Sequence, residues 1–155
     1  MRYFEDIRRG ECRKLGPRLV DLDGMVDFAD RFDRQPVHTD PVAAVSSVHG
    51  GLIASGLHTL ATCTALLVDG YLGGMAMVAG LGVDRIRFLR PVRPGDALTV
   101  EVQVDCLAPH HRREEMGVIT FDITVRNQAG AAVMTCSLDY GVARRPALIC
   151  KEIHA

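Results

Sequence analysis

Tryptophan is absent and aromatic residues make up only 5% of the 155-residue chain, so its core must rest on aliphatic side chains. Charge of one sign is lacking too. Eighteen Lys and Arg face 19 Asp and Glu, a formal net charge of −1, which leaves no electrostatic footprint for nucleic acid or an anionic membrane. The one dense basic cluster, His110-His111-Arg112-Arg113, runs directly into Glu114-Glu115 and reads as a solvated loop. No apolar run has clean membrane length, because the longest, Leu52 to Val83, is interrupted by Ser55, His58, Asp69 and several glycines. No C-x-x-C pair occurs. Five scattered cysteines (Cys12, Cys63, Cys106, Cys136 and Cys150) argue for reduced thiols in a cytoplasmic protein, against a disulfide frame or a zinc site. The first ten residues carry charges where a secretion signal needs an apolar stretch. Internal repeats, linkers and low-complexity segments are also missing, which makes residues 1–155 most simply one domain, large enough to bury its own core.

What is present is a division between the two halves. In the second half, Leu98, Val100, Val102, Val104 and Cys106 alternate with Thr99, Glu101, Gln103 and Asp105. Ile119, Phe121, Ile123 and Val125 alternate with polar neighbours in the same way, as do Met134, Cys136, Leu138 and Tyr140 with Thr135, Ser137 and Asp139. That period of two predicts antiparallel strands with one covered and one solvated face. Asn127-Gln128-Ala129-Gly130 joins the last two as a hairpin. The Pro91–Asp96 turn ends a preceding strand expected around Asp84–Arg90. The cover must come from the first half. Gly56 to Asp69, rich in Leu and Ala, predicts a helix largely buried on the sheet. Before it come a strand over about Glu11–Val20 and a helix over Leu22 to Arg31. That helix has Asp21 or Asp23 as its cap, with Met25, Phe28, Ala29 and Phe32 on one face. A short helix begins at Asp40-Pro41. One helix wrapped by a curved antiparallel sheet, in the α+β class, is the architecture expected.

The chemistry-bearing segment is Asp33-Arg34-Gln35-Pro36-Val37-His38-Thr39-Asp40. Pro36 forces Gln35 into an extended conformation, so a loop is expected here. An Asp and a His five positions apart on one constrained loop can converge on a single water, with His as the proton carrier near neutral pH. The spacing alone is a weak signal, since such a pair is more often structural or at the surface.

The run from Phe28 to Ala44, containing Asp33, Gln35-Pro36-Val37-His38 and Asp40, resembles the hydratase motif of MaoC-like dehydratases and (R)-specific enoyl-CoA hydratases. That motif reads Asp-x-Asn-Pro-hydrophobic-His-x-Asp. Gly50 to Leu57, Leu81 to Asp96 and Val125 to Gly130 are similar to the family's entry into its central helix, its second strand and turn, and its final hairpin. The resemblance implies a hot-dog fold and a homodimer with a continuous sheet. It also implies syn hydration of trans-2-enoyl thioesters of coenzyme A or an acyl carrier, with no cofactor beyond the thioester substrate. The catalytic roles fall on Asp33 and His38, and Gly56 is expected to offer its N–H to the thioester oxygen. Close helix–sheet packing is the other reading of Gly56.

Two positions depart from the family pattern. Gln35 stands where Asn is usual, and Ser55 where His usually precedes the helix glycine. Both are counted with Gly56 and Thr64 as candidate substrate-binding residues. A bond to its own helix is the other reading of Thr64. His49 is expected on a loop surface and His58 in the core or at a dimer face. Arg85, Arg87, Arg90 and Arg93 read as exposed or as contacts for coenzyme A phosphates. Two alternatives remain open: a hot-dog thioesterase, for which Asp69 is the one carboxylate in the helical segment, and a non-catalytic acyl-thioester-binding subunit.

Overall fold

The computed structural model describes residues 1–146. The chain forms β1 (Cys12–Leu19), three helices α1 (Leu22–Phe32), α2 (Pro36–Thr39) and α3 (Pro41–Val45), then the central α4 (Gly56–Gly70). Four strands follow: β2 (Met77–Phe88), β3 (Ala97–Pro109), β4 (Met116–Arg126) and β5 (Ala132–Ala143). They make one antiparallel sheet in the order β1-β3-β4-β5-β2, curved around α4. This is the expected hot-dog fold.

The alternation read from the sequence sets the faces. Leu98, Val100, Val102 and Val104 of β3, Ile119, Phe121, Ile123 and Val125 of β4, and Met134, Cys136 and Leu138 of β5 are buried. Cys63, Leu66 and Leu67 of α4 are buried with them in one cluster. Phe121 is fully buried and meets the Tyr71 ring edge-on, with centroids 5.8 Å apart. Asp21 caps α1 by accepting the Gly24 N–H at 2.7 Å, and Asp40 caps α3 by accepting those of Val42 and Ala43.

Five details differ from expectation. The Asp33–Asp40 stretch contains a helical turn, because Pro36 sits at its first position with Gln35 extended before it (ψ 139°). β2 begins at Met77 and ends at Phe88, because the ladder to β5 extends through Gly80 and Gly82, where alternation gave no signal. A register shift between Val104 and Cys106 turns Cys106 outward to an exposed position. Phe32, at the last turn of α1, is 67% exposed, since the helix runs past the part of the body it packs on. Ser137, expected on the solvated face, is buried beneath Arg85, whose guanidinium bonds both Ser137 and Asp122.

Candidate active site

Asp33 terminates α1, its N–H bonded to the Ala29 carbonyl, and His38 lies on α2. The proline-started turn between them folds His38 back toward Asp33. His38 Nε2 stands 3.5 Å from Asp33 Oδ2, and the imidazole is buried. Its other nitrogen, Nδ1, lies 2.8 Å from the Ile53 carbonyl oxygen. A carbonyl only accepts, so Nδ1 carries a proton, and in the neutral ring Nε2, which faces Asp33, is the nitrogen free to take one.

The Asp33 carboxylate has further partners. Ser55 Oγ donates to Oδ2 at 2.6 Å, and Gln35 Nε2 donates to Oδ1 at 2.8 Å. The Ser55 hydroxyl holds Asp33 below the usual carboxylate range, with Gln35 next; desolvation opposes them and His38 adds a smaller pull downward. Ser55 is also the cap of α4, its Oγ accepting the Leu57 N–H at 3.2 Å. That leaves the N–H of Gly56, the first residue of α4, with no acceptor among the described residues. The Phe88 ring lies on the Gly56 Cα so closely that a Cβ there would come within 2.6 Å of it. Close packing and an open N–H are thus both properties of Gly56.

These groups line one cavity of about 460 Å³. Asp33, Gln35, His38, Ser55 and Gly56 meet there, together with Thr59 and an apolar wall of Ile53, Leu89 and Val92. A larger groove of about 700 Å³ lies between Leu72, Met75 and β2, but no carboxylate or imidazole lines it. The acid–base chemistry therefore belongs to the smaller cavity.

Thr64 is not in it. Its hydroxyl donates to the Leu60 carbonyl at 3.0 Å, and the residue lines a separate hollow with Tyr140 and Gly80 to Val83. His49, expected at the surface, lines the site cavity instead, because Arg93 bonds its carbonyl at 2.6 Å and holds the loop inward. His58 is half-buried against Phe28, with ring centroids 5.1 Å apart, and burial lowers its proton affinity. Arg90 lines the cavity while bonding the Ala132 carbonyl. The Ile53 carbonyl and the Phe88 ring were not foreseen. The first carries no side-chain signal, and the second reads only as one more strand residue before the Pro91 turn. Cys150 lies outside the described residues. Among the described residues no group of three or more His, Cys, Asp or Glu could hold a metal ion, and no helix is long and apolar enough to cross a membrane.

Residues 10–125 match the model of the MaoC like domain. An uncharacterised protein of Bacillus subtilis is 31% identical over 91% of this chain and 99% of its own length. The 3-hydroxybutyryl-CoA dehydratase of Methylorubrum extorquens is 33% identical over 74% of this chain and 71% of its own. A crystal structure of a MaoC-like dehydratase from Rhodospirillum rubrum superposes with a TM-score of 0.85 at 34% identity, covering 94% of this chain and 99% of that one. The match extends from β1 to the end of β4 and takes in the whole Asp33–His38 site, so the chain belongs to the MaoC-like dehydratase and hydratase family.

Proposed function

We propose that this protein adds water across the double bond of trans-2-enoyl thioesters of coenzyme A or an acyl carrier protein, giving (R)-3-hydroxyacyl thioesters, and runs the reverse dehydration. The observation that carries this reading is the Asp33–His38 pair, two groups 3.5 Å apart in one cavity with the imidazole tautomer set by a carbonyl. Water bound between them gives a proton to His38 Nε2 while its oxygen attacks C3. The C2–C3 electron pair moves into the thioester, whose oxygen becomes an enolate. The open N–H of Gly56, at the positive end of α4, faces that developing charge. The His38 proton then passes to C2 on the same face, which makes the addition syn, and no cofactor takes part. Leu89, Val92 and Ile53 offer an apolar wall to the acyl chain, and Arg90, which also lines the cavity, a cation for coenzyme A phosphates.

Support for a hydratase over a thioesterase comes from Asp69. The carboxylate of the central helix points outward toward Arg18, its side chain 70% exposed, and does not line the cavity. A second copy is proposed to pair along β2, the longer of the two edge strands, and the reduced thiols suit a cytoplasmic setting.

The test follows the enoyl absorbance of crotonyl-CoA together with free thiol. Wild type is expected to bleach the absorbance without releasing thiol. Asp33→Asn and His38→Ala are each expected to lose on the order of 10²–10⁴-fold in rate. Thiol release would move the assignment to a thioesterase, and an absence of reaction at every chain length would leave a binding subunit.

A further inference from the structure

The two positions at which the chain departs from the family pattern converge on one carboxylate. Gln35 reaches Asp33 Oδ1 and Ser55 reaches Oδ2, from opposite ends of the site and 20 positions apart in sequence. Ser55 is almost wholly buried. Its single proton goes to Asp33, so its one donor is committed, and one lone pair of Oγ accepts the Leu57 N–H. Gln35 is exposed and flanked by the rigid Pro36. Its extended backbone and extra methylene let the amide reach back two residues.

We propose that Ser55 and Gln35 are positioning residues that fix the Asp33 carboxylate as an acceptor-only anion beside His38, leaving His38 Nε2 as the group that takes the proton from water. This deepens the hydratase reading and rests on it. A carboxylate whose two oxygens already accept short hydrogen bonds gives up proton affinity, so it orients the water and stabilises the imidazolium. The groups around Asp33 fit that division. His38 faces it from α2, and His49 and Arg90 line the same cavity. Arg34 is turned away, its guanidinium bonded to the Asp30 carbonyl. A histidine at position 55 would place a second titrating ring against Asp33; serine supplies a donor that does not titrate.

The experiment is a carboxyl ¹³C NMR titration of Asp33, assigned by its loss in Asp33→Asn, alongside pH profiles of kcat/KM on crotonyl-CoA. Ser55→Ala and Gln35→Ala are each expected to raise the Asp33 midpoint by about one unit, the scale of one lost hydrogen bond to a charge. Ser55→Ala is expected to lower kcat about tenfold or more with KM nearly unchanged, and Ser55→Thr, which keeps the hydroxyl, to recover most of it. The Gln35 side chain makes no capping bond to α2, which it precedes, so its variant keeps the test open if Ser55→Ala folds poorly. Unchanged Asp33 midpoints in the folded variants overturn the proposal. An inactive wild type brings down the hydratase reading instead, while the titration still decides whether these two residues hold Asp33.

Discussion

A thiol's reactivity is set where it sits, and the four cysteines among the described residues fall in two contrasting environments. Cys63 and Cys136 lie in the core, and burial pushes their thiols up to about 12 and about 11. Because the shift is upward, the thiolate is scarce at any pH below those values, and the sulfurs are also shielded. Cys12 and Cys106 are exposed. Iodoacetamide at pH 8 is expected to label Cys12 and Cys106 in the folded protein and to spare Cys63 and Cys136 until denaturant is added. Peptide mass spectrometry reads the pattern, and early labelling of Cys63 would contradict the packing described. At Gly56 the constraint is steric. A Cβ 2.6 Å from the Phe88 ring must displace that ring, which borders the cavity. Gly56→Ala is expected to cost on the order of 10²-fold in kcat/KM with the circular dichroism spectrum unchanged, since small misplacements near reacting atoms cost that much. Pairing it with Phe88→Leu should recover part of the loss.

Elements were legible in the sequence wherever local chemistry dictated them. Period-two alternation marked β3, β4 and β5 because one face of each is buried in the core, and the Asp21/Asp23 pair and Asp40 marked helix starts because orphan N–H groups there need acceptors; Asp21 is the one that caps α1. Asp21→Ala is expected to lower stability by about 1 kcal/mol in urea unfolding, the typical cost of a lost cap. A loss near zero would mean that the 2.7 Å contact to Gly24 is absent in solution. The site was half legible. Asp33 and His38 stood out by type, spacing and resemblance. Ser55 and Gln35 stood out as departures from the family pattern, but Ser55's bond to Asp33 and the Ile53 carbonyl's bond to His38 did not, because they span 22 and 15 positions. Such pairings exist only once α4 is laid against the α1–α2 corner. The same holds for the Cys106 bulge and the buried Ser137, both products of register that alternation cannot encode.

For the whole molecule, the question is what the sheet does at its two ends. β1 closes one edge with only eight residues, while β2 closes the other over twelve. Val78, Leu81 and Val83 on β2 are each 45–49% exposed, and among the described residues no strand lies beyond β2. A long apolar edge of this kind invites pairing unless something covers it. The proposed second copy covers it by a two-fold β2–β2 contact, and in doing so brings its own surface near Phe88, the last residue of the strand and a wall of the cavity. Light scattering is therefore expected to give twice the mass of one chain. Placing Lys at both Leu81 and Val83 should shift that mass toward one chain. Hydratase activity should then fall with the dimer and recover as protein concentration rises, because the site is bordered by the same strand that makes the contact. A monomer in the wild type, or a fully active monomeric variant, would separate the site from the edge and leave β2 with another role.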